Sequence, residues 1–375
     1  MSRIETEVAI IGGGIAGCSA ALHLARRNVP VMLFDKGFAG AGASGVNFGG
    51  VRRNGRHIEE MALATRSLAD YWHKLEDWLG TDCEFTVTGQ LKLARNADEL
   101  ALLDAYAEAA APYDLGLEPL NRNALMERYD WVGEWAFAAW HCPSDGHANS
   151  RLVGPAFAKA ARAAGADLRE HESVVHAETL GDGFEIATKS GLAVRANRLL
   201  NCAGGWGAEI AALFGEQVPI VPLAPQMAVT EPCPYFLEPV LGMVGGELYV
   251  RQIPRGNIIL GNGGGGEVDL ASGRTKVRPA DTLASLADAV KLVRPLANVN
   301  VIRTWTGIEG KTPDGYPIIG PSATTTGLFH AIGFSGHGFQ LGPATGAVLA
   351  ELALDDATPT DISAMSIKRF TAPAT

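Results

Sequence analysis

The chain has 375 residues, 47% hydrophobic and 19% charged, with 45 glycines and 20 prolines, which is the profile of a folded enzyme of about two domains rather than a disordered or fibrous chain. Against 41 acidic residues stand 31 basic ones, and the net charge of −10 sets up a field that repels a phosphate backbone and argues against nucleic acid as a partner. No run approaches the roughly 18 apolar residues of a membrane span, and Met1 to Glu7 lacks the basic-then-apolar order of a signal peptide, so the cytoplasm is the expected location.

In chain order, the β-branched run Val8 to Ile11 breaks into Gly12-Gly13-Gly14, a helical stretch follows to about Arg27, and a second apolar run, Val29 to Phe34, ends in Asp35. Apolar residues three to four apart from Ile58 to Leu79, closed by Gly80, predict one long amphipathic helix. A helix over about Arg151 to Ala164 leads into a strand near Leu168 to Val175, a hairpin-like stretch from Gly183 to Arg195, and the buried-looking run Leu199 to Ala203. Short β-like runs such as Leu248 to Ile253 and Asn257 to Leu260 mark 218–298 as a mostly β insertion. The last third returns to a strand, Leu328 to Ile332, a glycine-rich turn, and a helix from about Gly342 to Leu354. No fixed-period repeat is present.

Gly12, Gly14 and Gly17 spell GxGxxG between a predicted strand and a predicted helix, where glycines permit a tight turn and let backbone amides approach a pyrophosphate. The helix N-terminus adds partial positive charge toward the phosphates. Asp35, eighteen residues past Gly17, falls where a carboxylate accepts from a ribose hydroxyl, and its charge disfavours a 2′-phosphate. FAD and NAD both satisfy this motif.

Five cysteines, Cys18, Cys83, Cys142, Cys202 and Cys233, are widely spaced with no CxxC pair, so they read as free thiols. His141, Cys142 and His147 are near enough in sequence to raise a metal site, but they read better as polar residues of a loop, and no metal is assigned.

Further segments extend the pattern over nearly the whole chain: Gly42 to Arg52 (GASGVNFGGVR), Leu200 to Trp206 (LNCAGGW), Thr312-Pro313-Asp314-Gly315, and Gly333 to Phe339 (GFSGHGF). In that order the sequence resembles the D-amino-acid oxidase superfamily of flavoenzymes, nearest the branch of glycine oxidases, sarcosine oxidases and D-hydroxyproline or opine dehydrogenases. The resemblance implies an α/β fold with a Rossmann-like FAD domain assembled from 1–80, 145–215 and 300–375. A mixed α+β substrate domain, 81–144 and 216–299, would roof the flavin with an antiparallel sheet. It implies non-covalent FAD, since no cysteine lies near Thr312-Pro313-Asp314. The contacts implied for FAD are Gly12, Gly14, Ile15, Ala16, Gly17, Asp35 and Lys36 around the ADP moiety, with Val174 and Val175 near the adenine. Ser44 and Asn47 would lie along the pyrophosphate and ribityl chain, and Gly49, Gly50 and Val51 beneath the isoalloxazine. Cys202, Ala203, Gly204, Trp206, Gly307, Gly336, His337, Gly338, Phe339 and Gln340 complete the set. Amides of the Gly336-His337-Gly338 turn, with the helix after it, suit the negative charge of reduced flavin. His337 reads as a packed turn residue, not as a proton carrier.

Two positions depart from the branch. Gln340 stands where sarcosine oxidases carry a carboxylate-holding lysine, and Glu309 where glycine oxidases carry an arginine. The candidates to hold a substrate carboxylate are therefore Arg52 first, with Arg53, Arg56, Arg251 and Arg255, while Tyr249 offers a hydroxyl. Several arginines around one cavity suit a substrate with two carboxylates; Glu309 in it suits a cationic group. Ile259 occupies the place of a roof lysine that promotes reaction with oxygen, so the electron acceptor is either oxygen or a partner subunit. The implied reaction is hydride transfer from the carbon beside a neutral amine to flavin N5, with hydrolysis of the imine. Sarcosine, iminodiacetate, D-hydroxyproline and opines are the candidate substrates. The rival reading is a flavoprotein subunit that relays electrons in a hetero-oligomeric dehydrogenase. A flavin monooxygenase is disfavoured, because Ser335-Gly336-His337-Gly338 replaces the Gly-Asp pair expected ahead of its last helix.

Overall fold

The computed structural model describes residues 4–246 and 248–370. Two eight-stranded sheets organise them. In the first, strand Ile4–Ile11 lies between Val31–Phe34 and Ala193–Gly204, parallel to both, and Val31–Phe34 pairs in parallel with Asp167–Arg169. Ala193–Gly204 takes Gly183–Thr188 antiparallel along its first half and Leu328–Ile332 parallel along its second. Strand alternation divides the first strand between two cores: Val8 and Ile10 join the cluster under the helices, whereas Ala9 and Ile11 face Phe184 and Ile186 on the opposite side. The helical layer is Ile15–Arg26, Ser150–Ala163 and Gly338–Asp355. First and last helices pack closely, with Gly346 against Ser19 and Ala20 and Ser19 Oγ donating to the Pro343 carbonyl at 2.8 Å.

The expected strand near Leu168 to Val175 is two elements, Asp167–Arg169 and Val174–Leu180, and the second forms an antiparallel hairpin with Gly183–Thr188. The last helix starts at Gly338, four residues ahead of the expected start. The long helix expected over Ile58 to Leu79 is broken at Tyr71 (φ −123°, ψ −58°) into Met61–Asp70 and Leu75–Leu79. Two adjacent aromatics must both be buried there. Tyr71 meets His23 and Trp78, while Trp72 turns the other way onto Phe85 and Phe339. A continuous helix would separate these side chains by only about 100°.

The second sheet runs, in spatial order, Val301–Thr306, Pro225–Thr230, Ile258–Gly265, Tyr249–Gln252, Val240–Met243, Gln90–Ala94, Ala138–Cys142 and Glu118–Asn121. One face, with Leu91, Leu93, Ala228, Leu241, Val250 and Leu260, packs on helix Pro279–Leu292 through Ala289 and Leu292. The other face looks toward the first sheet and forms a roof. Residues 81–144 and 216–299 both supply strands to it, and Val301–Thr306 extends it beyond the boundary expected near 300, because Met227 pairs with Trp305. Among the described residues no helix is long and apolar enough to cross a membrane.

Candidate active site

Between the two sheets lies a cavity of about 1340 Å³. That exceeds the roughly 300–1,000 Å³ of an ordinary small-molecule site and is enough for a dinucleotide with a substrate beside it. Its floor begins at the glycine loop. Gly12 has φ +110°, and a side chain there would collide with the Cys202 carbonyl, so the first strand and Ala193–Gly204 approach as closely as glycine allows. Asp35 Oδ2 accepts from Gly13 N at 2.6 Å and Oδ1 from Gly37 N at 2.7 Å, which holds the carboxylate at the strand end. Ser44 Oγ accepts from Ile15 N at 2.9 Å at the start of the first helix. Gly12, Gly14, Ile15, Ala16, Gly17, Asp35, Lys36 and Ser44 all line this end, and the Lys36 ammonium sits 2.9 Å from the centroid of the Trp206 ring. Cys202, Ala203, Gly204 and Trp206 line the facing wall.

The middle of the floor is a tied loop. Asn47, which lines the cavity, donates to the carbonyls of Ala43 and Ser44 and accepts from Gly49 N, so its side chain also fixes the loop. From the roof, Trp305 Nε1 donates to the Val46 carbonyl at 2.8 Å and Arg251 Nε to the Phe48 carbonyl at 2.7 Å. At Gly49 (φ +85°) a side chain would strike the Ala148 carbonyl and lie 2.7 Å from the Arg251 guanidinium; the missing side chain is what admits this clamp. Gly49, Gly50, Gly307, Gly336, His337, Gly338 and Phe339 reach the cavity.

His337 pairs through Nδ1 with the buried Glu60 carboxylate at 2.8 Å. Burial and the nearby Arg56 charge push His337 down to about 4, so it is a neutral imidazole donating to a carboxylate. Glu60, although burial opposes it, is held below its ordinary range by His337 and Arg56. His57, Glu60 and His337 bring ligand-type atoms within 4.8 Å of one another. Arg56, whose charge bears on both Glu60 and His337, makes this a poor place for a cation.

The roof presents one row of side chains. Lys92 is paired with Gly242, Gly242 with Tyr249, Tyr249 with Gly261, and Gly261 with Met227. Directly paired residues point to the same face, so Lys92, Tyr249 and Met227 stand side by side with glycine gaps between them. Lys92, Arg52 and Arg56 form a cationic end. Burial and the Arg52 charge push the Lys92 ammonium down to about 7, and burial and Arg52 push Arg56 down to about 9. Arg56 Nη1 is buried without a hydrogen-bond partner among the described residues. Asp145, the buried acid near this end, is occupied by the backbone amides of Arg53 and Asn54.

Away from that end lies Glu309. Burial raises its carboxyl to about 7, and the charge that opposes this is that of Lys311. Tyr249 is held well above the usual phenol range by burial and by Glu309, so it remains protonated; its hydroxyl donates to the Asn262 carbonyl at 3.1 Å.

Some expected residues lie elsewhere. Arg251 lines no part of the cavity; its guanidinium is committed to the Phe48 carbonyl and to His147 Nδ1 at 2.9 Å. Gln340 faces away because the last helix turns it onto Met61–Asp70, where Nε2 donates to the Ala64 carbonyl at 2.8 Å and its own backbone carbonyl accepts from Ser67 and Trp72. Val51 alternates into the core behind Gly50, and Val175 is 59% exposed, on the opposite face of its strand from Val174, which does reach the cavity. Arg53 is held by Ser144 and Tyr113, and Arg255 by Glu84 at the surface. His141 and Cys142 lie on a strand rather than in a loop and do not converge with His147: Cys142 Sγ donates to the Leu115 carbonyl, and His141 faces Glu118. Thr312-Pro313-Asp314-Gly315 is an anchor, with Asp314 paired to Arg369 at 2.7 Å and Thr312 N donating to Ser335 Oγ. Sequence reasoning missed Lys92, His57 and Glu60. Lys92 carried a signal, because Gln90-Leu91-Lys92-Leu93 alternates with period two and so places the lysine opposite two core leucines.

A dinucleotide loop continuous with a roofed, charged cavity is the layout of a dinucleotide-dependent oxidoreductase. The chain belongs to the DAO family of FAD-dependent oxidoreductases, which it matches over residues 7–352. It is 30% identical to an opine oxidase subunit of Rhizobium meliloti over 98% of each chain, and 27% identical to glycine oxidase of Geobacillus kaustophilus over 97% of each. The crystal structure of L-proline dehydrogenase from P. horikoshii superposes with a TM-score of 0.89 at 26% identity, covering 99% of both chains. The cofactor is FAD, and the chemistry is FAD-dependent oxidation of carbon–nitrogen bonds in amino acids or amines.

Proposed function

We propose that the substrate is a small amino or imino acid with a secondary amine, and that its carboxylate docks on Arg52, Arg56 and Lys92. The observation that carries this reading is the pair of cations left without partners at one end of the cavity: the buried Arg56 Nη1, and a half-buried Lys92 ammonium that lines the cavity with no hydrogen bond or ion pair among the described residues. Buried cations persist where a ligand completes them. Bound FAD supplies the hydride acceptor. The chain's own groups fix the carboxylate, exclude water beneath the roof and hold the α-carbon in one orientation. Tyr249, its proton committed to Asn262, offers an oxygen lone pair to a substrate N–H.

In this reading the division of labour is the one read from sequence, with 1–80, 145–215 and 300–375 holding FAD and 81–144 and 216–299 covering the substrate, except that the strand Val301–Thr306 belongs to the cover. A second reading, a subunit that passes electrons to a partner, is favoured by the likeness to a protein named as a subunit. Both are tested by anaerobic flavin bleaching with sarcosine, iminodiacetate, D-hydroxyproline and opines, followed by admission of air. Bleaching by one of them supports the substrate class, and bleaching that persists in air supports a partner as acceptor. No bleaching by any amine in the absence of a partner overturns the first reading.

A further inference from the structure

Glu309 is not explained by a carboxylate-binding site. It stands on strand Glu309–Lys311, pairs through its backbone with Leu223, lines the cavity, and accepts no hydrogen bond or ion pair among the described residues. Its Oε1 lies 3.8 Å from where a side chain on Gly336 would begin, which puts the carboxylate beside the glycine turn ahead of the last helix. The roof row places Tyr249 two strands from Lys92, about 10 Å at the usual strand spacing, with Glu309 acting on Tyr249. The charge that bears on Lys92 is that of Arg52, and the charge that bears on Glu309 is that of Lys311, which also lines the cavity, so the two ends answer to different neighbours. The cavity is therefore bipolar.

We infer that Glu309 forms a subsite for a positively charged nitrogen group of the substrate, set apart from the cationic end that takes its carboxylate. The inference rests on the amino-acid reading above and narrows it: the substrate is a zwitterion held at both poles, not a simple dicarboxylate. A half-buried carboxylate without a partner is costly to keep charged, and the attraction of a cationic ligand offsets that cost. Its raised carboxyl returns toward the ordinary range when the cation docks, so docking is strongest above neutral pH.

The positive group is either the reacting nitrogen, which binds as the ammonium and gives a proton to solvent before the hydride leaves, or a second cation further along its substituent, and two pairs of non-oxidisable probes distinguish these. Trimethylammonioacetate and 3,3-dimethylbutanoate have the same shape and differ by a charge near the carboxylate; 4-(trimethylammonio)butanoate and 5,5-dimethylhexanoate differ by a charge further out. Each is titrated into the FAD-loaded protein at pH 8 and followed by the perturbation of the flavin spectrum, which requires no turnover. In at least one pair the cationic probe should bind about tenfold or more tighter. Glu309→Gln should abolish that preference, and Glu309→Arg should reverse it. The pair that responds identifies the position of the positive group. The inference is overturned if neither pair shows a preference, if neither cationic probe binds, or if the preference survives in Glu309→Gln with full flavin content. A preference present in a protein that no amine bleaches would leave the subsite standing and remove the reading of amine oxidation.

Discussion

Lys92→Met should make the protein more stable and a poorer binder of carboxylates. The ammonium falls from an ordinary 10.5 to about 7 on burial. At about 1.4 kcal/mol for each tenfold change, that gives a ceiling of roughly 5 kcal/mol against the protonated folded state. The cavity admits water, and screening there reduces the cost to about 1–2 kcal/mol. The unfolded chain binds the Lys92 proton up to its ordinary value and the folded chain only up to about 7. The penalty is therefore complete below pH 7, shrinks as pH rises from there toward 10.5, and is absent above. Methionine removes it, so thermal unfolding of the FAD-loaded variant should move up by about 1–3 °C at pH 6 and by progressively less toward pH 10. In the same samples 3,3-dimethylbutanoate should bind at least about tenfold more weakly at pH 6 than it does to the unaltered protein. A variant no more stable than the parent at pH 6, or one whose advantage grows with pH, would refute the argument that Lys92 is a desolvated cation of the cavity kept for a ligand.

Arg52→Met and Arg251→Met should separate binding from scaffolding. The first should weaken carboxylate probes by about 10- to 100-fold with little change in unfolding temperature. The second, which frees the Phe48 carbonyl and His147, should cost about 2–4 kcal/mol in denaturant unfolding and affect probes mainly through lost flavin. Gly12→Ala drives a methyl group into the Cys202 carbonyl, so the protein should purify with less than about a tenth of the normal FAD, as read from the ratio of flavin to protein absorbance. Gln340→Met should leave probe affinity within about twofold while costing about 1 kcal/mol of stability, because what it loses is the hydrogen bond to Ala64.

The ADP end was the most legible part of the chain, because its requirements are local. A strand, three glycines, a helix and an acid at the next strand end are fixed by spacing, and they occur where the sequence places them. The catalytic end depends on which way side chains point after distant strands have paired. Arg251 and Lys92 illustrate the difference. Both are cationic residues of roof strands, yet Arg251 is drawn into the Phe48 and His147 clamp while Lys92 faces the cavity, and only the register through Gly242 to Tyr249 shows it. Gln340 failed as a candidate for a rotational reason: a helix that starts at Gly338 has turned its third residue away from the cavity. The break at Tyr71 was hidden because the apolar spacing on either side of it is that of a continuous helix.

The packing of the first helix against the last has a consequence for how the protein is made. Ser19 and Pro343 are 324 positions apart, yet they meet beneath the nucleotide loop, and the glycine turn at the other end of the cavity is held through Thr312 and Asp314 by residues as late as Arg369. The loop for the cofactor leaves the ribosome long before the helix and turn that support it. Long-range closure of this kind is slow, and it leaves apolar strands uncovered while it waits. Flavin supplied during folding should therefore raise the yield of native protein more than the same flavin added afterwards.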